Sequence, residues 1–280
     1  MTGKRTVRRT VRVAVVAVLS AAMLVPMYIM VVNAFKPQQE ILLSPLSLDF
    51  ATATTDHLKA AWQSTSFPVI EGYAVSLFLV LACNAVAIGT AVPAAYAIAR
   101  TPKLLFRILL MFFVAGMFVP AQIILVPAIF VLKSLGLMGT LPGLVLFMSA
   151  TMIPFTLFVF SAYIRMLPRS LDEAAAIDGA GRQRILWTIV FPLMRPIVAT
   201  AFVLNALGAW NDFVSPQLIL GPGSEFRTIT TGVYAAVSTY STNYEIVFPT
   251  LLLAVAPILL IFAVMQRHIM GGLSAGAVKG

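Results

Sequence analysis

Side chains able to do nucleophilic or metal chemistry are few in this sequence. Cysteine occurs once, at Cys83, and histidine twice, at His57 and His268. A nucleophile needs a base beside it, and a metal needs several ligands at matched spacing; these residues provide neither. The sequence also contains no G-x-x-x-x-G-K-[ST] phosphate loop. We therefore assign no catalytic residue, no metal and no bound cofactor to this chain.

A polar segment, residues 166–195, carries the signals of two short helices. Ser170 can cap a helix whose first turn holds two acids, which the helix dipole favours. Gly179 is placed to end that helix, and a second one is expected over residues 182–190, up to Pro192. Such a hairpin is suited to docking a partner. A plain connection between two other helices would contain the same signals, so both interpretations stand on these residues alone.

The composition identifies the elements that position these residues. Of 280 residues, 60% are hydrophobic and 10% charged, and the mean hydropathy is +0.96. Soluble domains carry about a quarter charged residues, and disordered chains are not this apolar. An all-α membrane protein remains, with about 20 apolar residues per crossing. The predicted spans are residues 11–32, 73–99, 108–132, 141–164, 196–220 and 246–266. Pro120 and Pro127 predict a broken third helix.

The basic residues indicate the orientation of these six spans. With the N-terminus in the cytoplasm, 15 of the 19 Lys and Arg fall in cytoplasmic segments. The four outside are Lys36, Lys59, Lys133 and Arg227. This asymmetry follows the positive-inside rule and explains the net charge of +9 without a nucleic-acid partner. The first apolar run is longer than a signal peptide needs, so an uncleaved first span is predicted, with cleavage near Asn33 as the alternative.

Residues within 166–195 resemble a known pattern, the EAA loop of permease subunits of binding-protein-dependent ABC importers. The matching residues are Glu173, Ala174, Ala175, Gly179, Ile189 and Pro192, with Asp178 beside the glycine. Phe191 stands where the pattern usually has leucine. The resemblance narrows to carbohydrate-importer permeases of the MalG type through further segments. These are residues 33–37, 93–100, 135–141, 209–213 and 272–280.

The resemblance implies a type I ABC importer permease fold with six transmembrane helices and both termini cytoplasmic, in the bacterial plasma (inner) membrane. It implies a second, MalF-like permease, two ATPase subunits that hold ATP and magnesium, and an extracytoplasmic sugar-binding protein that delivers the sugar. Three regions are expected: residues 1–70 with the first span and an outer loop, a permease core over 71–268, and a cytoplasmic tail over 269–280. The loop at 166–195 is the expected ATPase contact.

Within that loop the resemblance implies that Glu173 meets a basic residue of the ATPase. Gly179 is expected to need a positive φ or a close approach, so Gly179→Asp should clash and bury an unpaired charge. The tail is expected to become ordered between the ATPases, with a frayed terminus as the alternative. Its interface residues are Ser274, Ala275, Gly276, Ala277, Val278 and Lys279.

On the outer side, residues 221–245 are expected to form a loop that contacts the binding protein, with a passive linker as the alternative. The contact residues are Ser238, Thr239, Tyr240 and Ser241. Candidates for the translocation path are Asn84, Gln122, Trp210, Asn211 and Asp212. Interhelical hydrogen bonding is the other interpretation for Asn84, as it is for Asn205. Asp212 also suits a helix end near the outer interface, and Trp210 an interfacial anchor.

Two functions of other classes compete with an importer permease. A secondary transporter driven by an ion gradient predicts charges near the middle of the membrane and an internal repeat. Apart from Asp212, and Arg12 at the cytoplasmic end of the first span, the predicted spans are uncharged, and the sequence contains no repeat. An intramembrane protease needs a nucleophile with its base, or two aspartates. The predicted spans contain no histidine and no second aspartate, so both alternatives are disfavoured.

Overall fold

The computed structural model describes residues 2–47, 49, 52–63, 68–239 and 243–277, with the side chains of all of these except residues 2–9, 236, 238, 239 and 261–277. Every regular element in this part of the chain is a helix. The chain divides into two compact units. The first contains Met1–Ile70 and Gly232–Pro257, and the second contains Glu71–Thr231 and Ile258–Gly280. Each is described by itself below.

The helices follow one another with short connections. They are α1 (Thr2–Asn33), α2 (Gln38–Leu43), α3 (Asp56–Trp62), α4 (Val69–Arg100), α5 (Leu104–Gly116), α6 (Ala121–Ser134), α7 (Leu141–Met166), α8 (Ser170–Ile177), α9 (Arg182–Ile185), a π-helical segment (Leu186–Val190), α10 (Phe191–Asn211), α11 (Val214–Ile219), α12 (Ile229–Thr239) and α13 (Tyr244–Ala277).

Four helices in the described residues are long and apolar enough to cross a membrane. They are Thr10–Asn33 of α1, α4, α7 and the continuous helix Arg182–Asn211. Their positions confirm that the predicted first, second, fourth and fifth spans are long apolar helices. The sixth predicted span lies in α13, whose shorter apolar part is Tyr244–Leu260.

The third predicted span is broken. Helices α5 and α6 are together apolar and long enough to cross, but they meet at a bend of 105°. Pro120 immediately precedes α6 and has an extended backbone. Because a proline has no backbone N–H, it cannot donate the hydrogen bond that would continue a helix preceding it in the chain. The predicted break at Pro120 is therefore confirmed, whereas α6 runs through Pro127 without ending.

The fifth span begins earlier than the sequence predicts. A separate helix ending before Pro192 was expected, but α9, the π-helical segment and α10 form one helix from Arg182 to Asn211. Pro192 lies in the first turn of α10. The wider π turn before it loosens the regular hydrogen-bond ladder, which allows the proline ring to be accommodated. The expected end at residue 220 is also wrong, because α10 ends at Asn211 and the short helix α11 follows.

The core of the second unit is built on small residues. Ala91, Ala95 and Ala99 of α4 are buried in one cluster with Phe160 and Ile164 of α7. The same cluster includes Ala175 of α8 and residues of the π-helical segment and α10. Small side chains at these positions let helix backbones approach closely, which is how helices pack in a membrane. The cluster therefore joins the ends of α4 and α7 to α8.

A buried lysine organises the first unit just after α1. Lys36 is 2% exposed, and its Nζ donates to the Ser44 carbonyl at 2.9 Å and to the Ser47 hydroxyl at 3.0 Å. Ser44 follows the last residue of α2, where a cation satisfies both the free carbonyl and the helix dipole. Asn33 adds a bond from Nδ2 to the Pro45 carbonyl at 3.0 Å. Lysine and asparagine thus fold the α2 segment back against the end of α1.

Candidate functional site

The short helix α8 has the shape that the EAA pattern predicts. Two nested backbone hydrogen bonds end the helix. The Gly179 N–H donates to the Ala176 carbonyl at 3.0 Å, and the Ala180 N–H donates to the Ala175 carbonyl at 2.9 Å. This is the Schellman arrangement, which needs a left-handed residue after the helix. Gly179 supplies it, with φ +78°. The predicted positive φ is confirmed.

Two details of the predicted hairpin differ. Ser170 is the first helical residue, and Arg169 before it makes no side-chain capping bond, so the expected Ser170 cap is wrong. A Cβ at Gly179 would meet no atom within 4 Å, and the residue is exposed. The expected clash of Gly179→Asp therefore does not arise within this chain, and the conformation alone constrains the position here.

Helix α8 presents two different faces. Glu173, Ala174 and Asp178 are exposed, and Ile177 at the tip is 86% exposed. Ala175 points the other way into the core. Ile189 and Pro192 are half-buried below the hairpin. Of the predicted ATPase-coupling residues, the structure thus presents the two acids, Ala174 and Gly179 outward and uses the other three for packing. Ile177 is not among the predicted coupling residues, although it stands two positions before the glycine that ends α8.

An ion pair attaches α8 to the end of α4. Asp172 Oδ2 lies 2.8 Å from an Arg100 guanidinium nitrogen, and the Tyr96 hydroxyl donates to Asp172 Oδ1 at 2.7 Å. Arg100 also donates to the Leu167 carbonyl at 3.1 Å, immediately after α7. The sequence places Asp172 in the first turn of α8 and Tyr96 and Arg100 in the matching segment 93–100, but their pairing was not predicted. The four-residue spacing of Tyr96 and Arg100, which places them on one helix face, was the available signal.

A cavity of about 560 Å³, lined by both apolar and polar residues, lies between α6, α7 and the end of α10. Its polar lining consists of Gln122, Thr151, Asn205, Asn211, Asp212 and Ser215. The carboxylate of Asp212 is the charged side chain among the lining residues. This volume is within the range of small-ligand sites, and amide, hydroxyl and carboxylate groups are suited to hydrogen-bonding a polyhydroxylated molecule.

The structure brings together three of the five predicted path residues in that cavity: Gln122, Asn211 and Asp212. Asn84 lies elsewhere, at a cavity of about 320 Å³ beside Trp187. Trp210 is buried and stacks on Tyr73, with ring centroids 6.2 Å apart and 28° between the planes. One face of the Trp210 ring is therefore occupied by Tyr73.

The buried asparagines differ in their partners. Asn205 Nδ2 of α10 donates to the Thr156 hydroxyl of α7 at 3.1 Å, which confirms an interhelical bond. Asn84 Nδ2 donates to the Val80 carbonyl of its own helix at 2.9 Å, so the alternative interpretation, an interhelical bond, is not realised among the described residues. Its Oδ1 is buried without a hydrogen-bond partner among the described residues.

Asp212 connects the helices at one end of the cavity. Its Oδ1 accepts from the Ser215 N–H at 3.1 Å in the first turn of α11. Its carbonyl accepts from the Thr230 hydroxyl at 2.9 Å in α12. The residue thus combines the two expected positions, at a helix end and on the cavity. Its hydrogen bonds hold the chain turn that follows α10.

The predicted outer loop, residues 221–245, contains helix α12. Its first residue is fastened by a bond from the Ile229 N–H to the Ser76 hydroxyl at 2.9 Å. Of the expected binding-protein contacts, Tyr240 and Ser241 lie outside the described residues, and only the backbones of Ser238 and Thr239 are described.

The predicted tail continues α13. The backbone is helical through Ser274, Ala275, Gly276 and Ala277, past the expected boundary at residue 269, while Val278 and Lys279 lie outside the described residues. No group of three or more His, Cys, Asp or Glu side chains in the described part is placed to hold a metal.

Comparison with known proteins gives the family. The model of the family "Binding-protein-dependent transport system inner membrane component" matches residues 87–273, about two thirds of the chain. The chain belongs to this family. Its family is one of transport-system membrane components and not of enzymes. The chain is a multi-pass protein of the bacterial plasma membrane.

Individual relatives are transport permeases for sugars. The chain is 33% identical to the multiple sugar-binding transport system permease protein MsmG of Streptococcus mutans, over 91% of this chain and 92% of the relative. It is 33% identical to the diacetylchitobiose uptake system permease protein NgcG of Streptomyces coelicolor, over 93% and 85%. Its fold is similar to a chain of a bacterial ABC transporter involved in alginate import, with a TM-score of 0.77, 19% identity, and coverage of 93% of this chain and 96% of that one.

Proposed function

We propose that this chain is one of two permease subunits of an ATP-driven sugar importer. Six transmembrane helices, with both termini in the cytoplasm, would form the translocation path together with a second permease. The observation that carries the proposal is the exposure of helix α8. Glu173 and Ile177 are exposed, whereas Ala175 on the other face is buried in the core. The distribution of Lys and Arg supports a cytoplasmic position for α8.

The exposed face of α8 is matched to an ATPase surface. Glu173 suits a basic residue on the partner, and Ile177 suits an apolar pocket, whose burial is worth about 2 kcal/mol. The sequence has no phosphate loop of its own, so we assign ATP and magnesium to two ATPase partners and no cofactor to this chain. Binding energy for the complex would then come from a small protruding helix.

The cavity beside α10 is our candidate for this chain's share of the path. Its amides and hydroxyls can exchange hydrogen bonds with sugar hydroxyls as they leave water. The bend between α5 and α6 lies next to it, because Ala121 and Gln122 open α6 and line the cavity. Irregular backbone at membrane depth is tolerated where it lines a cavity or is buried in protein, which agrees with this assignment. An extracytoplasmic binding protein would deliver the sugar.

The proposal is tested by reconstituting the chain with its candidate partners in liposomes. The sugar is first identified by calorimetry of the binding protein against a panel of sugars. Uptake should then require ATP on the ATPase side and the loaded binding protein, and should persist when ionophores collapse ion gradients. Uptake that proceeds without ATP and stops with an ionophore would instead support an ion-gradient transporter and overturn the proposal.

A further inference from the structure

Arg100 is the meeting point of three helices. It ends α4, its guanidinium donates to the Leu167 carbonyl after α7, and it pairs with Asp172 in the first turn of α8. Tyr96, one turn earlier in α4, donates its hydroxyl to the other oxygen of the same carboxylate. Helix α4 thus contacts both oxygens of Asp172: Oδ1 accepts the Tyr96 hydrogen bond at 2.7 Å, and Oδ2 lies 2.8 Å from Arg100 in an ion pair that lacks hydrogen-bond geometry.

This junction is stronger than a surface ion pair. The side chains of Arg100 and Asp172 are only 12% and 16% exposed, so water screens them little. The arginine stands at the negative end of the α4 dipole and the aspartate at the positive end of the α8 dipole, and each is favoured there before they meet. Removing one partner from such a pair leaves the other charge poorly compensated.

The junction is also separate from the outward face of α8. Glu173 and Ile177 are exposed, whereas Asp172 and Ala175 face the chain's own helices. A change at Asp172 thus leaves the outward face unaltered in composition. Contact with a partner and attachment to α4 can therefore be disturbed independently.

We propose that Arg100, Tyr96 and Asp172 are positioning residues that transmit displacement of α8 to the end of α4, so that the docking helix and the span move as one. This inference rests on the proposed function, in which an ATPase displaces α8. Alanine packing alone would allow α8 to slide over α4, because contacts between small apolar side chains are weakly directional. A buried carboxylate that is hydrogen-bonded at one oxygen and ion-paired at the other opposes that sliding.

The test uses the reconstituted transporter and measures sugar imported per ATP hydrolysed, together with the hydrolysis rate, assembly yield and thermal stability. The variants are Asp172→Asn, Arg100→Gln and the double variant. Lys103→Gln is the matched control, since Lys103 is a basic residue three positions further on with an exposed side chain. Tyr96→Phe removes one hydroxyl and no charge, so it serves where the charge variants do not assemble.

Both single charge variants should lower sugar imported per ATP by about tenfold, the usual order of a coupling between two sites, while the ATPase stays bound and active. The double variant should import no less sugar per ATP than the more strongly affected single variant, because both substitutions remove the same interaction. Tyr96→Phe should lower the ratio by about threefold, as for a neutral hydrogen bond. Lys103→Gln should equal the wild type.

Wild-type ratios in the single variants, multiplied losses in the double variant, or a loss in Lys103→Gln equal to that in Arg100→Gln would each overturn the inference. If the charge variants do not assemble, a wild-type ratio in Tyr96→Phe overturns it. Failure of the proposed function gives a different result, because the wild-type complex itself would then show no ATP-dependent uptake.

Discussion

Gln38 and Glu245 cap each other's helices across 207 positions of sequence. The Gln38 N–H, the first of α2, donates to Glu245 Oε1 at 2.6 Å. In return Gln38 Oε1 accepts from the Tyr244 N–H, the first of α13, at 2.8 Å. Helix N-termini have free N–H groups that side-chain oxygens can satisfy. This reciprocal pair holds two distant parts of the first unit together.

We predict that Glu245→Ala destabilises the protein by about 1 kcal/mol, as for loss of a helix cap, and lowers Tm by about 3 °C in detergent. Glu225→Ala is the control, because Glu225 is an exposed acid. The Gln38→Ala and Glu245→Ala losses should be less than additive in the double variant. Strict additivity would show that the two caps act separately.

A second prediction concerns Gly179, where φ is +78° and a Cβ has free space. Gly179→Asn should keep nearly wild-type stability, since asparagine tolerates the left-handed region, whereas Gly179→Val should lose about 1–2 kcal/mol. Thermal unfolding of the purified chain measures both. Equal stability of the two variants would mean that the turn does not require a left-handed residue.

The same two variants separate conformation from partner contact. If an ATPase approaches Gly179 closely, Gly179→Asn should fold normally but bind the ATPase more weakly. Copurification of the ATPase with the stable Gly179→Asn variant at wild-type yield would show that the glycine serves the turn alone.

Local sequence signals predicted the helices best. Long apolar runs fix spans because backbone groups in a membrane must bond within the helix, and Gly179 predicts its own turn because few residues adopt a positive φ. The continuous helix through Pro192 was missed because proline normally ends a helix. Here a π-helical segment, Leu186–Val190, ends two positions before the proline, and the helix continues through it.

Contacts between distant residues were the least predictable part of the site. Asp172 and Arg100 are 72 positions apart, and nothing in a single sequence pairs one acid with one arginine among 19 basic residues. The cavity also depends on residues that are distant in sequence. Gln122, Asn211 and Asp212 were selected one by one as polar residues in apolar helices, and the packing of α6, α7 and α10 brings them together.

A third prediction addresses the tip of α8. Ile177→Ser should leave thermal stability unchanged, because the side chain is 86% exposed. It should weaken ATPase binding by about tenfold or more if the isoleucine enters an apolar pocket. Leu43→Ser is the matched control, since Leu43 is also 86% exposed but lies in the predicted outer segment. Titration of the ATPase onto the permease complex in nanodiscs measures both. Unchanged affinity for Ile177→Ser would remove Ile177 from the interface.

The last prediction concerns the cavity. Gln122 opens α6 at the bend, and its side chain is exposed to the cavity. If sugar hydroxyls bond there, Gln122→Ala should raise the KM for uptake by about 2–12-fold, the equivalent of one neutral hydrogen bond. ATP hydrolysis without sugar should not change, because Gln122 lines the cavity and is not one of the residues that attach α8 to α4.

Gln217→Ala is the matched control for this experiment. Gln217 lies on α11 close to the same turn, but it is not a lining residue of the cavity. Asp212→Asn adds a second measurement, because asparagine keeps an oxygen for the Ser215 N–H while removing the negative charge. Stability should then be retained, so any change in uptake reports on the sugar. Identical uptake kinetics in Gln122→Ala, Gln217→Ala and the wild type would place the sugar path outside this cavity.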